Sequence, residues 1–123
     1  CFGTDAPGVG YDPDLVEKTV ATGIRLGIEL RKGIYAGVKG PSYETAAEVQ
    51  MIYRLGGDAV GMSTVFEVAL ANALNIKVLG LSCITNLATG IGSQKLSHGE
   101  VTEVGNRVKS TFSRLLTATI PTL

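Results

Sequence analysis

The chain has 123 residues, 45% of them hydrophobic and 18% charged, and 11 basic residues balance 11 acidic ones. That is length enough for one modest domain with a core, and too apolar for a disordered chain. Zero net charge excludes a basic nucleic-acid face or an acidic-lipid surface as the main partner, no run reaches the apolar length of a membrane helix, and no basic-then-apolar start marks a signal peptide.

The first ten residues, Gly/Pro-rich and opening on Cys1, carry no element signal, and the start on Cys1 is expected of a fragment. Asp12 followed by Pro13 opens a helix: a capping carboxylate, then proline at the first helical position. Val16, Val20 and Ile24 recur at helical spacing, and Gly27 ends the run. Gly33 to Val38 reads as a buried strand followed by the turn Gly40-Pro41-Ser42. Thr45 with Glu48 forms a capping box. Behind it Val49, Ile52 and Tyr53 make one apolar face, and Gly56-Gly57 stops the helix. Ala59 to Met62 is a second buried strand. After Ser63 and Thr64, the run Val65 to Leu74 predicts a buried helix with Asn75 as left-handed cap. Lys77 to Leu81, running on towards Ile84, predicts a third strand. A loop from Leu87 to Leu96 leads to a second capping box, Ser97 with Glu100. The last helix follows, with Val101, Val104, Val108, Phe112 and Leu115 on one stripe. Alternating strand and helix signals argue an α/β domain with a mainly parallel sheet. Cys1 and Cys83 have no metal-ligand spacing. Cys83, inside an apolar run, is expected to be a reduced core thiol, which agrees with a cytoplasmic location.

In open parallel sheets, ligands bind beyond the carboxyl ends of the strands. Those ends carry Ser42, Tyr43 and Glu44 after the first strand, Gly61, Met62, Ser63 and Thr64 at the second, and Ser82, Thr85 and Asn86 after the third. The loop beyond Asn86 ends near His98, the single histidine. A carboxylate, a carboxamide, an aromatic ring, a thioether and hydroxyls suit a flat heterocycle carrying a sugar. Each residue also has a plainer use. Glu44 complements a helix dipole as readily as it binds a ligand. Ser63 and Thr64 suit a helix cap, Asn86 a turn, Met62 a core position and His98 a solvated surface. The functional reading rests on the set.

Three segments, Gly40 to Glu48 (GPSYETAAE), Gly56 to Val65 (GGDAVGMSTV) and Gly80 to Asn86 (GLSCITN), resemble the trimeric purine nucleoside phosphorylases, in the family's order from about Tyr11 to the end. The resemblance implies a three-layer phosphorylase/hydrolase-like α/β fold, a mainly parallel mixed sheet flanked by helices, of which residues 1–123 are the C-terminal half of a single domain. It implies phosphorolysis of inosine, guanosine and their deoxy forms to free base and pentose 1-phosphate. No metal or organic cofactor is expected; inorganic phosphate is co-substrate, and the full-length protein is expected to be a homotrimer. By the family's pattern Glu44 accepts from N1 and the guanine amino group, and Asn86 bonds N7 and O6. Tyr43 packs on the nucleoside, Met62 floors the ribose, Thr85 and Gly61 line the pocket, Ser63 binds phosphate and His98 bonds the 5′-hydroxyl. Asn86, His98 and Glu44 are the catalytic candidates. Asparagine at position 86 favours 6-oxopurines, whereas sister methylthioadenosine phosphorylases carry aspartate. Two departures stand out. Phe66 replaces the family's proline after Ser-Thr-Val, and the segment before Tyr11, Phe2 included, departs from the usual pattern. The family's Gly-rich phosphate loop is not among these residues, so the isolated chain is expected to be inactive. A methylthioadenosine phosphorylase is the alternative enzyme, against which Asn86 speaks, and a non-catalytic purine-binding fragment is the alternative from a different class.

Overall fold

The computed structural model describes residues 10–92 and 98–123, with the side chains of His98 and Glu100 excepted. Phe2, the Ser97–Glu100 capping box and the side chain of His98 therefore lie outside the described residues. Helix α1 (Pro13–Leu26) is followed by strand β1 (Tyr35–Gly37), helix α2 (Ala46–Arg54), strand β2 (Ala59–Gly61), helix α3 (Val65–Ala73) and helix α4 (His98–Thr119), which runs into a short 3-10 turn (Ile120–Thr122).

Local chemistry sets the helix ends where expected. Asp12 Oδ1 accepts from the Leu15 N–H at 3.1 Å with Pro13 in the first turn. The Thr45–Glu48 capping box closes reciprocally at 3.3 and 2.8 Å. The first three helices end in the same way. A residue with positive φ (Gly27, Gly56 or Asn75) is followed by an N–H that reaches back five residues, from Ile28 to the Gly23 carbonyl, Gly57 to Ile52 and Ile76 to Ala71. This is the Schellman closure, and Asn75 at φ 57° is the non-glycine residue that performs it.

The strands pair in parallel, with Tyr35 opposite Ala59, Ala36 opposite Val60 and Gly37 opposite Gly61. The β1–α2–β2 crossover is thus one parallel unit. The core takes Leu15 from α1, Ala36 from β1, Val49 and Ile52 from α2 and Leu115 from α4. The expected stripe of α4 holds: Leu115 is buried and Val101, Val104, Val108 and Phe112 are half-buried.

Several expectations fail, for one shared reason: they concern burial against neighbouring elements rather than local geometry. The two strands are half-buried rather than buried apart from Ala36, because each has a single ladder neighbour among the described residues. Residues 77–86 form no ladder with them. Their recorded backbone bond runs from the Asp12 N–H to the Val78 carbonyl at 2.8 Å, beside a 3.0 Å ion pair between Lys77 and Asp12. Helix α3 buries no residue, and Phe66 is 71% exposed. On α1 the buried face is Leu15, Thr19, Thr22 and Gly23, while Ile24 is exposed. The packing partner decides this: α1 lies against α4, which offers Leu115 and the buried Thr119. Tyr53 and Cys83 are exposed, not core.

Candidate active site

Because β1 and β2 are parallel, both chains leave the ladder at the same rim. The Val38 N–H gives a last bond to the Gly61 carbonyl at 2.9 Å, after which one chain turns to Tyr43 and Glu44 and the other to Met62, Ser63 and Thr64. The irregular segment 77–86 arrives at the same rim with Thr85 and Asn86. Between them lies a cleft of about 600 Å³ lined by Tyr43, Glu44, Gly61, Met62, Ser63, Thr85 and Asn86. Seven sequence-predicted residues from three separate segments therefore meet. The absence of a third ladder strand does not prevent this, since the segment still runs beside the other two. Val49, Ile52, Leu81 and Ile84 give the cleft apolar walls, as a flat heterocycle requires.

Glu44 carries the sharpest signal. Its Oε1 is buried and has no hydrogen-bond partner among the described residues. A carboxylate oxygen cut off from water and left unbonded is costly, and such orphans are rare in native proteins. At the end of a turn, one residue before the capping Thr45, this one lines the cleft and can accept from a bound N–H. Glu44 does not form the capping box, which Thr45 makes with Glu48. The plainer dipole reading leaves this orphaned oxygen unexplained.

Asn86 donates from Nδ2 to the Thr85 hydroxyl at 3.1 Å. That anchors the amide and, among the described residues, leaves one N–H and the carbonyl oxygen, a donor and acceptor side by side. The Tyr43 ring is 47% exposed and Met62 39% exposed, so each offers apolar surface to an occupant.

Thr64 stands at the head of α3 with φ 68°, a left-handed conformation that a β-branched residue rarely adopts. Its hydroxyl donates to the Ser63 carbonyl at 2.6 Å and makes no cap for the helix. The Ser–Thr pair is thus not the ordinary helix cap that spacing alone allows. The strain falls at the rim where the candidate residues gather, the usual place for such outliers.

Sequence reasoning passed over Tyr35, whose hydroxyl lies 3.4 Å from both Ser63 Oγ and the Ser63 N–H. Its position in a short apolar strand gave no signal. Cys83, Ile91 and Val101 also reach the cleft. A second cavity of about 850 Å³ lies beside α1 and the segment 29–34, and of the strand-end residues only Ser82 lines it. Of its charged residues, Arg31 pairs with Glu29 and Lys32 with Glu17, and Asp58 accepts from the Ile34 N–H at 2.8 Å. Among the described residues no group of three or more metal-type side chains gathers, and no helix is long and apolar enough to cross a membrane.

Residues 3–121 match the model of the phosphorylase superfamily. The chain is 48% identical over 121 residues to purine nucleoside phosphorylase 1 of Bacillus subtilis, which covers 97% of this chain and 45% of that protein. It is 50% identical over 95 residues to purine nucleoside phosphorylase 1 of Geobacillus stearothermophilus, covering 77% of this chain and 35% of that one. The crystal structure of Schistosoma mansoni purine nucleoside phosphorylase in complex with inosine superposes with a TM-score of 0.87 at 32% identity, over 92% of this chain and 41% of that one. The chain thus spans less than half the length of the relatives it matches.

Proposed function

The chain belongs to the phosphorylase superfamily, and on that premise we propose that it supplies the base and ribose side of a purine nucleoside phosphorylase, as the C-terminal part of that enzyme's single domain. The reaction is attack of a phosphate oxygen on C1′ of a 6-oxopurine nucleoside. The bonding pair of C1′–N9 leaves with the purine, which takes up the proton that hydrogen phosphate gives up on becoming the ester, giving free base and (deoxy)ribose 1-phosphate.

In this reading Glu44 accepts from purine N1–H, and from the 2-amino group of guanine. Asn86 turns its remaining N–H towards N7 and O6, both of which accept. Tyr43 packs on the nucleoside, Met62 floors the ribose, Gly61 and Thr85 line the pocket, Ser63 donates to phosphate and His98 bonds the 5′-hydroxyl. As the bond to N9 breaks, negative charge builds on the base, and a fixed amide at N7 and O6 is worth more there than in the ground state. Phosphate is both nucleophile and counter-charge to the cationic ribose, so the reaction asks for no metal or organic cofactor. The complete enzyme is read as a cytoplasmic homotrimer.

The observation that carries the proposal is the buried, unpartnered Glu44 Oε1 in the same cleft as the half-satisfied Asn86 amide. The inosine complex of the Schistosoma relative supports the choice of nucleoside. Calorimetric titration of the chain tests it: hypoxanthine and guanine should bind at 1:1 and adenine more weakly. Absence of any purine binding would overturn it. With Ser63 as its one assigned phosphate ligand, the chain alone should release no hypoxanthine from inosine and phosphate.

A further inference from the structure

We infer that Tyr35 is a positioning residue for the phosphate side of the cleft, holding Ser63 so that its hydroxyl hydrogen is turned to the cleft. The inference rests on the phosphorylase reading above and adds a residue that reading does not use.

Three observations converge. The Ser63 N–H donates to the Tyr35 hydroxyl oxygen at 3.4 Å, and the same oxygen lies 3.4 Å from Ser63 Oγ. A backbone N–H can only donate, so the phenol oxygen accepts there and its own hydrogen is free for Ser63 Oγ. A phenol is also the stronger acid of the two hydroxyls, which favours the same direction. With Oγ accepting from Tyr35, the serine hydrogen is left for the cleft. The reverse arrangement would turn only serine lone pairs towards an anion and repel it. Gly61 is the third observation. It ends β2 beneath the tyrosine, and a Cβ built there would collide with the Tyr35 hydroxyl. A side chain at position 61 would break the Tyr35–Ser63 link, which gives this glycine a reason independent of ribose. The left-handed Thr64 next in sequence is then part of the same fixed corner.

The test uses the ¹⁵N-labelled 123-residue chain, titrated in turn with inorganic phosphate and with hypoxanthine, and followed at the Ser63 amide and the Asn86 side-chain amide. Tyr35→Phe keeps the ring and removes the hydroxyl. It should weaken phosphate binding at Ser63 about 5- to 10-fold, the loss of one hydrogen bond, while hypoxanthine affinity and the melting temperature stay unchanged. Gly61→Ala should reproduce the phosphate effect by displacing the same hydroxyl. Phosphate affinity indifferent to Tyr35→Phe, or a wild-type Ser63 amide that phosphate does not move, would overturn the inference. Should phosphate binding depend on Tyr35 while hypoxanthine moves nothing, the base assignment fails and the Tyr35 assignment stands.

Discussion

Glu44→Ala should move stability and binding in opposite directions. In the unliganded chain Glu44 Oε1 is buried without a partner among the described residues, and a desolvated, unbonded polar atom costs about 1–3 kcal/mol. Removing the carboxylate relieves that cost, offset in part by the one methylene lost from the cleft wall, about 0.8 kcal/mol. The net change should lie between no effect and a gain of about 2 kcal/mol, where a buried polar residue engaged in the fold would show a loss on truncation. With purine bound, the same oxygen accepts an N–H, and a hydrogen bond to a charged group is worth about 1.5–3 kcal/mol. Hypoxanthine affinity should therefore fall about 10- to 150-fold. Urea denaturation of the free chain and calorimetric titration with hypoxanthine read the two quantities on one preparation. A variant that is clearly destabilised yet binds hypoxanthine within twofold of wild type would refute the reasoning, since Glu44 would then be a structural residue.

Asn86→Asp should shift preference from hypoxanthine towards adenine, because a carboxylate accepts from a 6-amino group and repels a 6-oxo group; parallel titrations with both bases check the inversion, and an unchanged ratio would remove Asn86 from the base site. Leu115→Ala takes a buried side chain from the α1–α4 contact and should cost about 2–5 kcal/mol, read in urea against a surface control such as Leu123→Ala. Stability should also fall at both pH extremes, for different reasons. The Leu15 N–H, then Lys77, holds Asp12 below the usual carboxylate range, and the Thr45 N–H and hydroxyl do the same for Glu48. Their contribution is complete above the ordinary carboxylate value of about 4 and is lost as the pH drops through the folded values. The Asp12 carboxylate raises Lys77; its contribution is complete below the ordinary lysine value of about 10.4 and disappears as the pH climbs through the folded value. Melting temperature against pH should thus show Lys77→Met losing the alkaline fall but keeping most of the acid one, and an alkaline fall untouched by Lys77→Met would contradict the pairing.

What could be read in the sequence was whatever a few adjacent residues decide among themselves. Asp12 with Pro13, Thr45 with Glu48, and Asn75 as a left-handed cap all stand as expected, because each is satisfied within five residues by backbone groups. Seven of the eight candidate site residues line one cleft: five because the two parallel strands deliver their carboxyl ends to one rim, and Thr85 and Asn86 because the irregular segment 77–86 arrives there too. Burial was poorly legible. Val65 to Leu74 is apolar enough for a core helix, yet none of the helix residues is more than half-buried. Val16, Val20 and Ile24 have the right spacing, but Thr19, Thr22 and Gly23 take the inner face, where α1 packs on α4 and Gly23 lies against Leu30. Lys77 to Leu81 has strand composition without a ladder partner. Tyr35 looked like one more apolar strand residue, since its value lies in a hydroxyl that reaches a neighbour 28 positions away.

The claim beneath all of this is that Glu44 and Asn86 hold one purine ring between them. A double-mutant cycle measures it most directly: hypoxanthine affinity of the wild type, Glu44→Ala, Asn86→Ala and the double variant. Groups gripping the same small ring couple through it, so the double variant should lose less than the two single losses added together, by at least about 0.5 kcal/mol. Fully additive losses, or no loss from either single variant, would contradict the shared site.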